Sequence, residues 1–215
     1  MNAICKIKQN QGAITLITIY HVSSDQRMAM SKRLAEWRVK YFREFPYLYE
    51  GNLEYENEYT SIYISDDHSG FFVAEDAEEM VGIISGVPLQ NPFMTEAATI
   101  FKDTGLDPSA FYYIGEIMVH SGYRGQGIAR KLMQHQEQFA LDKGYTGSCF
   151  MAVERADDDP LRPEHYRNPA WIWQEAGYQK TDIKSDFEYP TIQPNGEIQT
   201  VPNTMVFWVK NLIDR

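Results

Sequence analysis

The stretch from Tyr112 to Gly144 combines a strand, a turn and a long helix, and it constrains the fold more than any other part of the chain. Residues 112–119 are mostly β-branched, aromatic or otherwise apolar, which is typical of a buried strand. His120, Ser121 and Gly122 then favour a turn. An amphipathic helix follows and ends near Gly144, with one stripe formed by Ile128, Leu132, His135 and Phe139. The sequence therefore predicts a helix that begins just after a buried strand.

The first turn of that helix lies in the segment 124–129, which reads RGQGIA. Its two glycines and alanine leave backbone N–H groups uncovered, and these groups have no acceptors inside the helix. The helix dipole adds partial positive charge at the same end, and Arg124, Arg130 and Lys131 add full charges. These features predict a site for a phosphate or pyrophosphate. The alternative is a glycine turn that only allows close packing of strand and helix.

Two common phosphate-binding motifs do not fit this segment. The dinucleotide fingerprint requires a third glycine where Arg130 stands, and no Gly-Lys-Ser/Thr of a P-loop follows. The segment instead fits the pattern Arg/Gln-x-x-Gly-x-Gly/Ala between a strand and a long helix. It resembles the acyl-CoA-binding motif of the GNAT N-acetyltransferase superfamily. The long proline-containing loops and the ending MVFWVK resemble a poorly characterised branch of that superfamily.

The order of predicted elements agrees with this resemblance, which implies an α/β (α+β) fold. We expect a mixed, twisted sheet of about seven strands with helices on both faces. The domain spans residues 13–215 after an N-terminal tail at 1–12. Pro190 and Pro202 lie in a loop between the last two strands. The strands are predicted at 13–20, 71–75, 80–87, 112–119, 147–154, 178–183 and 203–210, and the main helices after Ser23, after Asn52, at 95–104, up to Gly144 and at 169–176.

Composition limits the classes of function. The 215-residue chain has a formal net charge of −10 and 43% hydrophobic residues, as expected for a globular protein. No stretch approaches about eighteen apolar residues, and residues 1–12 do not resemble a secretory signal. Non-specific nucleic-acid binding needs a basic face. We therefore expect a cytoplasmic protein with no membrane or nucleic-acid partner.

Two cysteines bear on metal and redox chemistry. Cys5 and Cys149 provide neither a metal-ligand spacing nor a disulfide framework. Cys5 falls in the predicted tail, and Cys149 falls in an apolar strand as a small core residue. We therefore expect no metal site and assign neither cysteine a catalytic role.

The resemblance implies that acetyl-CoA is the cosubstrate. In that family the central strand and its neighbour separate, and the pantetheine arm lies between them. The backbone of Ile117, Met118 and Val119 is then expected to bind the pantetheine amides and polarise the thioester carbonyl. Asn168 and the helix after it, including Trp173, are expected to flank the arm. The pyrophosphate is expected at Arg124, Gly125, Gln126, Gly127, Ile128 and Ala129, with Arg130 nearby.

Glu116 is the first candidate for a general base. It is a charged residue in an otherwise apolar strand, and burial of an unpaired carboxylate is costly. Such a group is either used in chemistry, taking a proton from the acceptor ammonium, or is a structural carboxylate bonded to Tyr112, Tyr113 or an arginine. Glu154, at the end of the next strand, is the second candidate.

The general acid is less clear, because Trp173 stands where many family members have tyrosine, four residues before Gly177. An indole N–H is a poor proton donor to a thiolate, so Tyr166 or His165 could serve instead, or no side-chain acid is used. His120 is either a proton relay or a turn residue. The aromatic set Tyr47, Tyr49, Tyr55, Tyr59 and Tyr63 either walls the acceptor pocket or forms part of the core.

The resemblance implies an N-acetyltransferase that moves an acetyl group from acetyl-CoA to a primary amine by direct attack on the thioester. The alternative is a non-catalytic protein that binds acyl-CoA as a sensor or as a partner-binding module. The identity of the amine and the preferred acyl group stay open. A homodimer is expected from family habit and from the apolar strand that contains Met205 to Val209.

Overall fold

A computed structural model describes residues 3–8 and 14–213 of the chain. Eight strands form one sheet in the order β1-β2-β3-β4-β5-β6-β8-β7. The prediction of a mixed sheet with helices on both faces is confirmed. The strands are β1 Ala3–Lys8, β2 Ile14–His21, β3 Gly70–Asp76, β4 Glu79–Pro88, β5 Phe111–Val119, β6 Gly147–Val153, β7 Gln179–Ile192 and β8 Ile198–Asn211.

In the described part of the chain, six α-helices connect the strands: α1 Arg27–Tyr41, α2 Leu53–Thr60, α3 Ile62–Ser65, α4 Thr95–Phe101, α5 Ile128–Asp142 and α6 Ala170–Glu175. Local sequence sets several of their ends. The Asn52 side chain accepts hydrogen bonds from the N–H groups of Glu54 and Tyr55 and so begins α2. Gly144, with a φ of 91°, follows the end of α5 in the left-handed region.

The sheet separates two apolar layers. On one face Leu34 of α1, Tyr63 of α3 and Phe101 of α4 pack against the strands. On the other face Leu132 of α5 and Trp173 of α6 pack against them. Each strand alternates its side chains between the layers, so the sheet is covered on both sides.

One pair of strands is parallel, and its pairing is short. Helix α5 joins β5 to β6, which run parallel as predicted. Only Phe111 to Tyr113 pair with Gly147 to Cys149. Beyond that point, residues 114–119 pair with β4 on one side and, within the described residues, with no strand on the other. The two strands therefore separate towards their carboxyl ends and leave a cleft open on both faces of the sheet.

The sequence prediction was wrong at both ends of the sheet. Residues 3–8, expected in the N-terminal tail, form β1 and pair antiparallel with β2, which makes eight strands rather than about seven. At the other end, the predicted loop between the last strands is a long hairpin, with Pro190 in β7 and Pro202 in β8. Both prolines fit because β7 is an edge strand and β8 meets β6 only from Met205 onward.

Burial explains two other patterns in the sequence. Cys149 is buried as predicted. The apolar run 205–209, on which the expected homodimer partly rested, lies in β8 between β6 and β7. Val206, Phe207 and Trp208 are buried in the protein's own core. Their apolar character therefore needs no partner chain.

Candidate active site

A β-bulge in β5 decides which way Glu116 points. Ser85 of β4 pairs with Glu116 and Gly86 pairs with Ile114, so Gly115 is the extra residue. The bulge turns Glu116 to the face of the sheet that α1 and α3 cover. A Cβ atom at position 115 would lie 2.1 Å from the Tyr63 hydroxyl oxygen. Only glycine therefore lets Tyr63 approach this part of the strand.

The Glu116 carboxylate is buried, and both of its oxygens accept hydrogen bonds. Arg38 of α1 donates from Nη1 to Oε1. Oε2 accepts from the Tyr63 hydroxyl at 2.8 Å and from the Ser85 hydroxyl. An arginine is thus the structural partner that the sequence left open, whereas neither Tyr112 nor Tyr113 donates to it. Three donors hold the carboxylate in one orientation at the wall of the cleft.

Arg38 also binds a second buried carboxylate, that of Glu56 in α2, through Nε. The side chains of Glu56 and Glu116 are 0% exposed and that of Arg38 is 12% exposed. Burial by itself would lower the pKa of Arg38, but the carboxylates and Tyr59 outweigh burial and raise it. Two buried carboxyl groups therefore share one permanently charged guanidinium.

Aromatic rings enclose the guanidinium of Arg38. Its central carbon lies 4.2 Å from the centre of the Tyr59 ring and 4.8 Å from that of Phe42. Such cation–π contacts stabilise a cation that is partly removed from water. Of the five tyrosines considered above, Tyr59 and Tyr63 therefore build the charged cluster and Tyr47 lines the cleft. Tyr49 is buried, and Tyr55 is exposed.

The cleft between β5 and β6 is a cavity of about 1110 Å³. This volume is sufficient for a large ligand. Ile117 and Val119 of β5 and Phe150 and Ala152 of β6 line it. The third predicted residue of the strand, Met118, buries its side chain in the layer on the α1 side of the sheet. Its backbone remains part of the strand edge that faces the cleft.

The start of α5 has the geometry that the sequence predicted for an anion site. Gly125 and Gly127 have φ values of 76° and 80°, which favour glycine. The first bond inside the helix runs from the N–H of Lys131 to the carbonyl of Gly127. The N–H groups of Ile128, Ala129 and Arg130 have no acceptor within the helix. The Gln126 side chain folds back and donates to the Gly122 carbonyl at 3.3 Å.

Arg124 and Arg130 already have carboxylate partners. Arg124 donates to Glu44 at 3.0 Å and to the carbonyl of Val119 at 3.1 Å. Arg130 pairs with Glu175. These ion pairs are about half exposed and so are weak in water. An incoming phosphate can exchange with Glu44 or Glu175 at small cost.

Asn168 and Trp173 both line the cleft, on its α6 side. The Asn168 side chain accepts a hydrogen bond from the Ala170 N–H at 2.9 Å, directly before α6 begins. The Trp173 ring packs edge-on against Phe150 and Trp208, with centroids 5.0 and 5.1 Å apart. Trp173 therefore forms an apolar wall at the position where many family members have a tyrosine.

The other candidates for proton transfer lie in different surroundings. Tyr166 lines the cleft, whereas His165 is exposed. Burial raises the pKa of Tyr166, and burial raises the pKa of Tyr47 to about 12, so both phenols stay protonated at neutral pH. His120 accepts a hydrogen bond from the Gly122 N–H at 3.2 Å through Nδ1. Its structural role is thus that of a turn residue.

Glu154, the second candidate base, is bound by two lysines. Hydrogen bonds from Lys180 and Lys184 hold the pKa of Glu154 below its usual range. A lowered pKa makes this carboxylate a weaker base. The group stands at the α6 side of the cleft, since Ala152 and Phe150 of the same strand pack there.

Three residues of this site were not predicted from the sequence: Arg38, Ser85 and Arg155. Arg38 and Ser85 reach Glu116 from α1 and β4, and no local pattern links them to β5. Arg155 lines the cleft and donates to the carbonyls of Pro46 and Tyr47 at 2.8 and 3.1 Å. The only local signal for Arg155 in the sequence is its position directly after a strand that borders the predicted cleft.

Within residues 3–8 and 14–213, no three or more His, Cys, Asp or Glu side chains are grouped so that they could hold a metal ion. No helix in the same ranges has the length and apolar character that a membrane span requires.

Solved acetyltransferase structures share this fold. The chain aligns over 92% of its length with an aminoglycoside 6'-N-acetyltransferase complexed with coenzyme A, covering 98% of that chain at a TM-score of 0.58 and 15% identity. An N-acetyltransferase from Staphylococcus aureus Mu50 aligns over 91% of this chain and 98% of its own, with a TM-score of 0.57 and 13% identity. At these identities the likeness concerns the fold.

Sequence relatives match a shorter part of the chain. N-acetyltransferase 8B from Rattus norvegicus is 37% identical over 87 residues, which are 40% of this chain and 33% of that protein. N-acetyltransferase 8 from Homo sapiens is 32% identical over 87 residues, with the same two shares. The chain thus matches about a third of the length of these curated relatives.

The sequence model of the acetyltransferase (GNAT) family matches residues 31–165. That range includes most of α1 with Arg38, the bulged strand β5, the glycine turn and the whole of α5 and β6. The match covers more than half of the chain and contains the β5 and β6 walls of the cleft, whereas its α6 side lies beyond residue 165. The chain therefore belongs to the acetyltransferase (GNAT) family.

Proposed function

We propose that this protein is an N-acetyltransferase that transfers the acetyl group of acetyl-CoA to a primary amine. One observation carries the proposal: an unpaired strand edge, at residues 114–119, leads directly to a helix start with free N–H groups, along one open cleft. The strand edge offers donors and acceptors to the amides of pantetheine. The helix start offers N–H donors and a positive dipole to its pyrophosphate.

In this proposal, Ile117, Met118 and Val119 bind the pantetheine arm through their backbone, and one N–H polarises the thioester carbonyl. The pyrophosphate lies against the turn 124–129. Arg124 and Arg130 exchange their carboxylate partners for phosphate oxygens. Asn168 and Trp173 bound the arm on the α6 side, since both line the cleft.

The acceptor enters from the face that carries α1. Its ammonium group loses one proton, and the neutral nitrogen attacks the thioester carbonyl carbon. A C–N bond forms, the C–S bond breaks, and the thiolate leaves and takes up a proton. Glu116, which lines the cleft, takes the ammonium proton. The charged cluster then holds one carboxylic acid and one carboxylate for its single guanidinium and is neutral overall.

The proton for the leaving thiolate comes from water or from a phenol of the cleft. Tyr47 and Tyr166 are the cleft tyrosines on the α1 side, and their raised pKa values keep them protonated. Trp173 supports the other candidate function, a protein that binds acyl-CoA without turning it over, because an indole does not protonate a thiolate. Release of coenzyme A in the presence of an amine separates the two functions.

The proposed cofactor site is tested by calorimetric titration of acetyl-CoA into the wild type and Arg124→Glu. Arg33→Glu is the matched control, because Arg33 lies on α1 beside Glu75 and away from the cleft. Micromolar binding that is lost only in Arg124→Glu supports the pyrophosphate site. Unchanged affinity in that variant contradicts it. No binding by the wild type contradicts the acetyl-CoA assignment as a whole.

A cytoplasmic location and a homodimer also belong to this proposal. Light scattering of the purified chain measures its mass against the 24.9 kDa of one copy, and a mass of one copy contradicts the dimer.

A further inference from the structure

Arg155 has surroundings that differ from those of the other cations in the cleft. Its Nε donates to the Pro46 carbonyl at 2.8 Å, and its Nη2 donates to the Tyr47 carbonyl at 3.1 Å and to Asn203 Oδ1 at 2.5 Å. All three acceptors are neutral oxygens. The fork of donors is thereby held rigidly while its charge is not neutralised.

Each of the remaining cations of the cleft contacts a carboxylate. Arg124 pairs with Glu44, Arg162 pairs with Asp157 at 2.6 Å, and Lys180 and Lys184 both bind Glu154. Within the described residues, no carboxylate forms an ion pair with Arg155. The phenol beside it, Tyr189, has a pKa that burial raises, so it stays neutral. Arg155 is therefore a half-buried positive charge without a counter-ion.

A charge in such a position is costly unless something pairs with it. The two walls of the cleft also differ in charge. Arg155 has an excess positive charge, whereas Glu116 belongs to a cluster of two carboxyl groups and one guanidinium. The wall at Glu116 favours a cation, and the wall at Arg155 favours an anion. Both residues line the same cavity.

Aromatic side chains fill the space around these two charges. Phe45 and Tyr166 meet edge to face with centroids 4.7 Å apart, and Phe42 stacks on Tyr47 at 4.5 Å. All four line the cleft. This part of the cleft therefore suits a ligand that combines an apolar group with two opposite charges.

We infer that the acceptor is a small zwitterionic amine, namely an amino acid with an apolar side chain, whose carboxylate binds Arg155 and whose amine faces Glu116. The inference rests on the proposed function and adds the chemical class of the acceptor. A guanidinium binds a carboxylate through charge-assisted hydrogen bonds, which are stronger than neutral ones. The carboxylate supplies the counter-ion that the protein does not.

Three acceptors with the same ring test this inference: phenylalanine, its amide, and phenethylamine. We expect the wild type with acetyl-CoA to show a kcat/KM for phenylalanine that exceeds those of the other two by roughly tenfold or more, as a charge-assisted hydrogen bond predicts. Arg155→Gln should reduce that ratio to about one. Arg162→Gln, a cation of the same cleft that Asp157 compensates, should keep the ratio.

Two results would overturn the inference. One is a wild type that prefers the amide or phenethylamine. The other is an Arg155→Gln variant that loses the same factor with all three acceptors, because Arg155 would then only hold the backbone at Pro46 and Tyr47. If Arg155→Gln does not fold, Asn203→Asp provides the counter-ion within the protein and should lower the same ratio.

Failure of the proposed function is distinguished by a binding readout that needs no turnover. Phenylalanine is titrated into the protein in the presence of coenzyme A and in its absence. Binding that Arg155→Gln abolishes supports the inference even where no product forms. Absence of binding, or equal binding by the wild type and Arg155→Gln, contradicts it independently of acetyl-CoA affinity.

Discussion

The hydroxyl of Tyr63 donates a hydrogen bond of 2.8 Å to the carboxylate of Glu116. The bond passes over Gly115, whose missing side chain leaves room for the phenol. A charged side chain in the central strand is thereby tied to α3, and through Arg38 to α1 and α2. The wall of the cleft and the packing of three helices thus depend on the same few polar atoms.

Gly115→Ala should destabilise the protein by about 1–3 kcal/mol, because the added methyl group would lie 2.1 Å from the Tyr63 oxygen and overpacking of this kind costs that amount. Gly122→Ala is the matched control, since its nearest neighbour would be 3.5 Å away. Urea denaturation of both variants measures the difference. Equal stability of the two variants would show that Tyr63 moves without cost.

Arg38→Gln should cost about 3–5 kcal/mol of unfolding free energy, because it leaves Glu56 and Glu116 buried without a positive charge. Adding Glu56→Gln should recover part of that loss, since one carboxylate is then removed. Chemical denaturation of the single and double variants measures their free energies of unfolding. A double variant that is less stable than Arg38→Gln would mean that Glu56 stabilises by packing and not through Arg38.

Glu44→Gln should strengthen acetyl-CoA binding, up to about fivefold, because it frees Arg124 from an exposed ion pair worth at most about 1 kcal/mol. Calorimetry at low salt is the measurement, and the gain should shrink at high salt because exposed charges are screened. Glu50→Gln, which frees the more distant Arg43, is the control. An equal gain in both variants would indicate a general effect of net charge.

Glu154→Gln should lower stability at pH 7 by less than about 1 kcal/mol and have no effect near pH 2. The pKa of Glu154 is lowered in the folded state by hydrogen bonds from Lys180 and Lys184. A carboxyl group whose pKa is lowered by folding stabilises the folded protein at pH values above its unfolded-state pKa, about 4.3. That stabilisation disappears as the pH falls through the folded-state pKa. Melting curves of both proteins at the two pH values measure it. A difference that persists at pH 2 would contradict this origin.

The sequence by itself determined the local parts of the site. The glycine turn before α5, the left-handed residue Gly144 after that helix and the cap at Asn52 were all predictable. Each depends on residues within one helical turn of one another, so spacing is sufficient to identify it. The same locality applies to strands β2 to β6, where each apolar run is bounded by turn residues.

Tertiary structure alone decided the environment of Glu116. Its ion-pair partner Arg38 is 78 residues away in sequence, and a bulge at Gly115 overrides the simple alternation of side chains along β5. Long-range partners of this kind are chosen by the packing of helices on the sheet. The residues involved follow no periodic pattern, so the sequence could only show that a buried carboxylate needs a partner.

The edges of the sheet were decided in the same way. The prolines at 190 and 202 favoured a loop, yet they lie in β7 and β8. Residues 3–8 have no long apolar run and were expected in a tail, yet they form β1. A strand at an edge pairs on one side only, so a residue without an N–H is tolerated where no neighbour requires it. Whether a segment lies at an edge depends on the whole sheet, which is why only the tertiary structure identifies these strands.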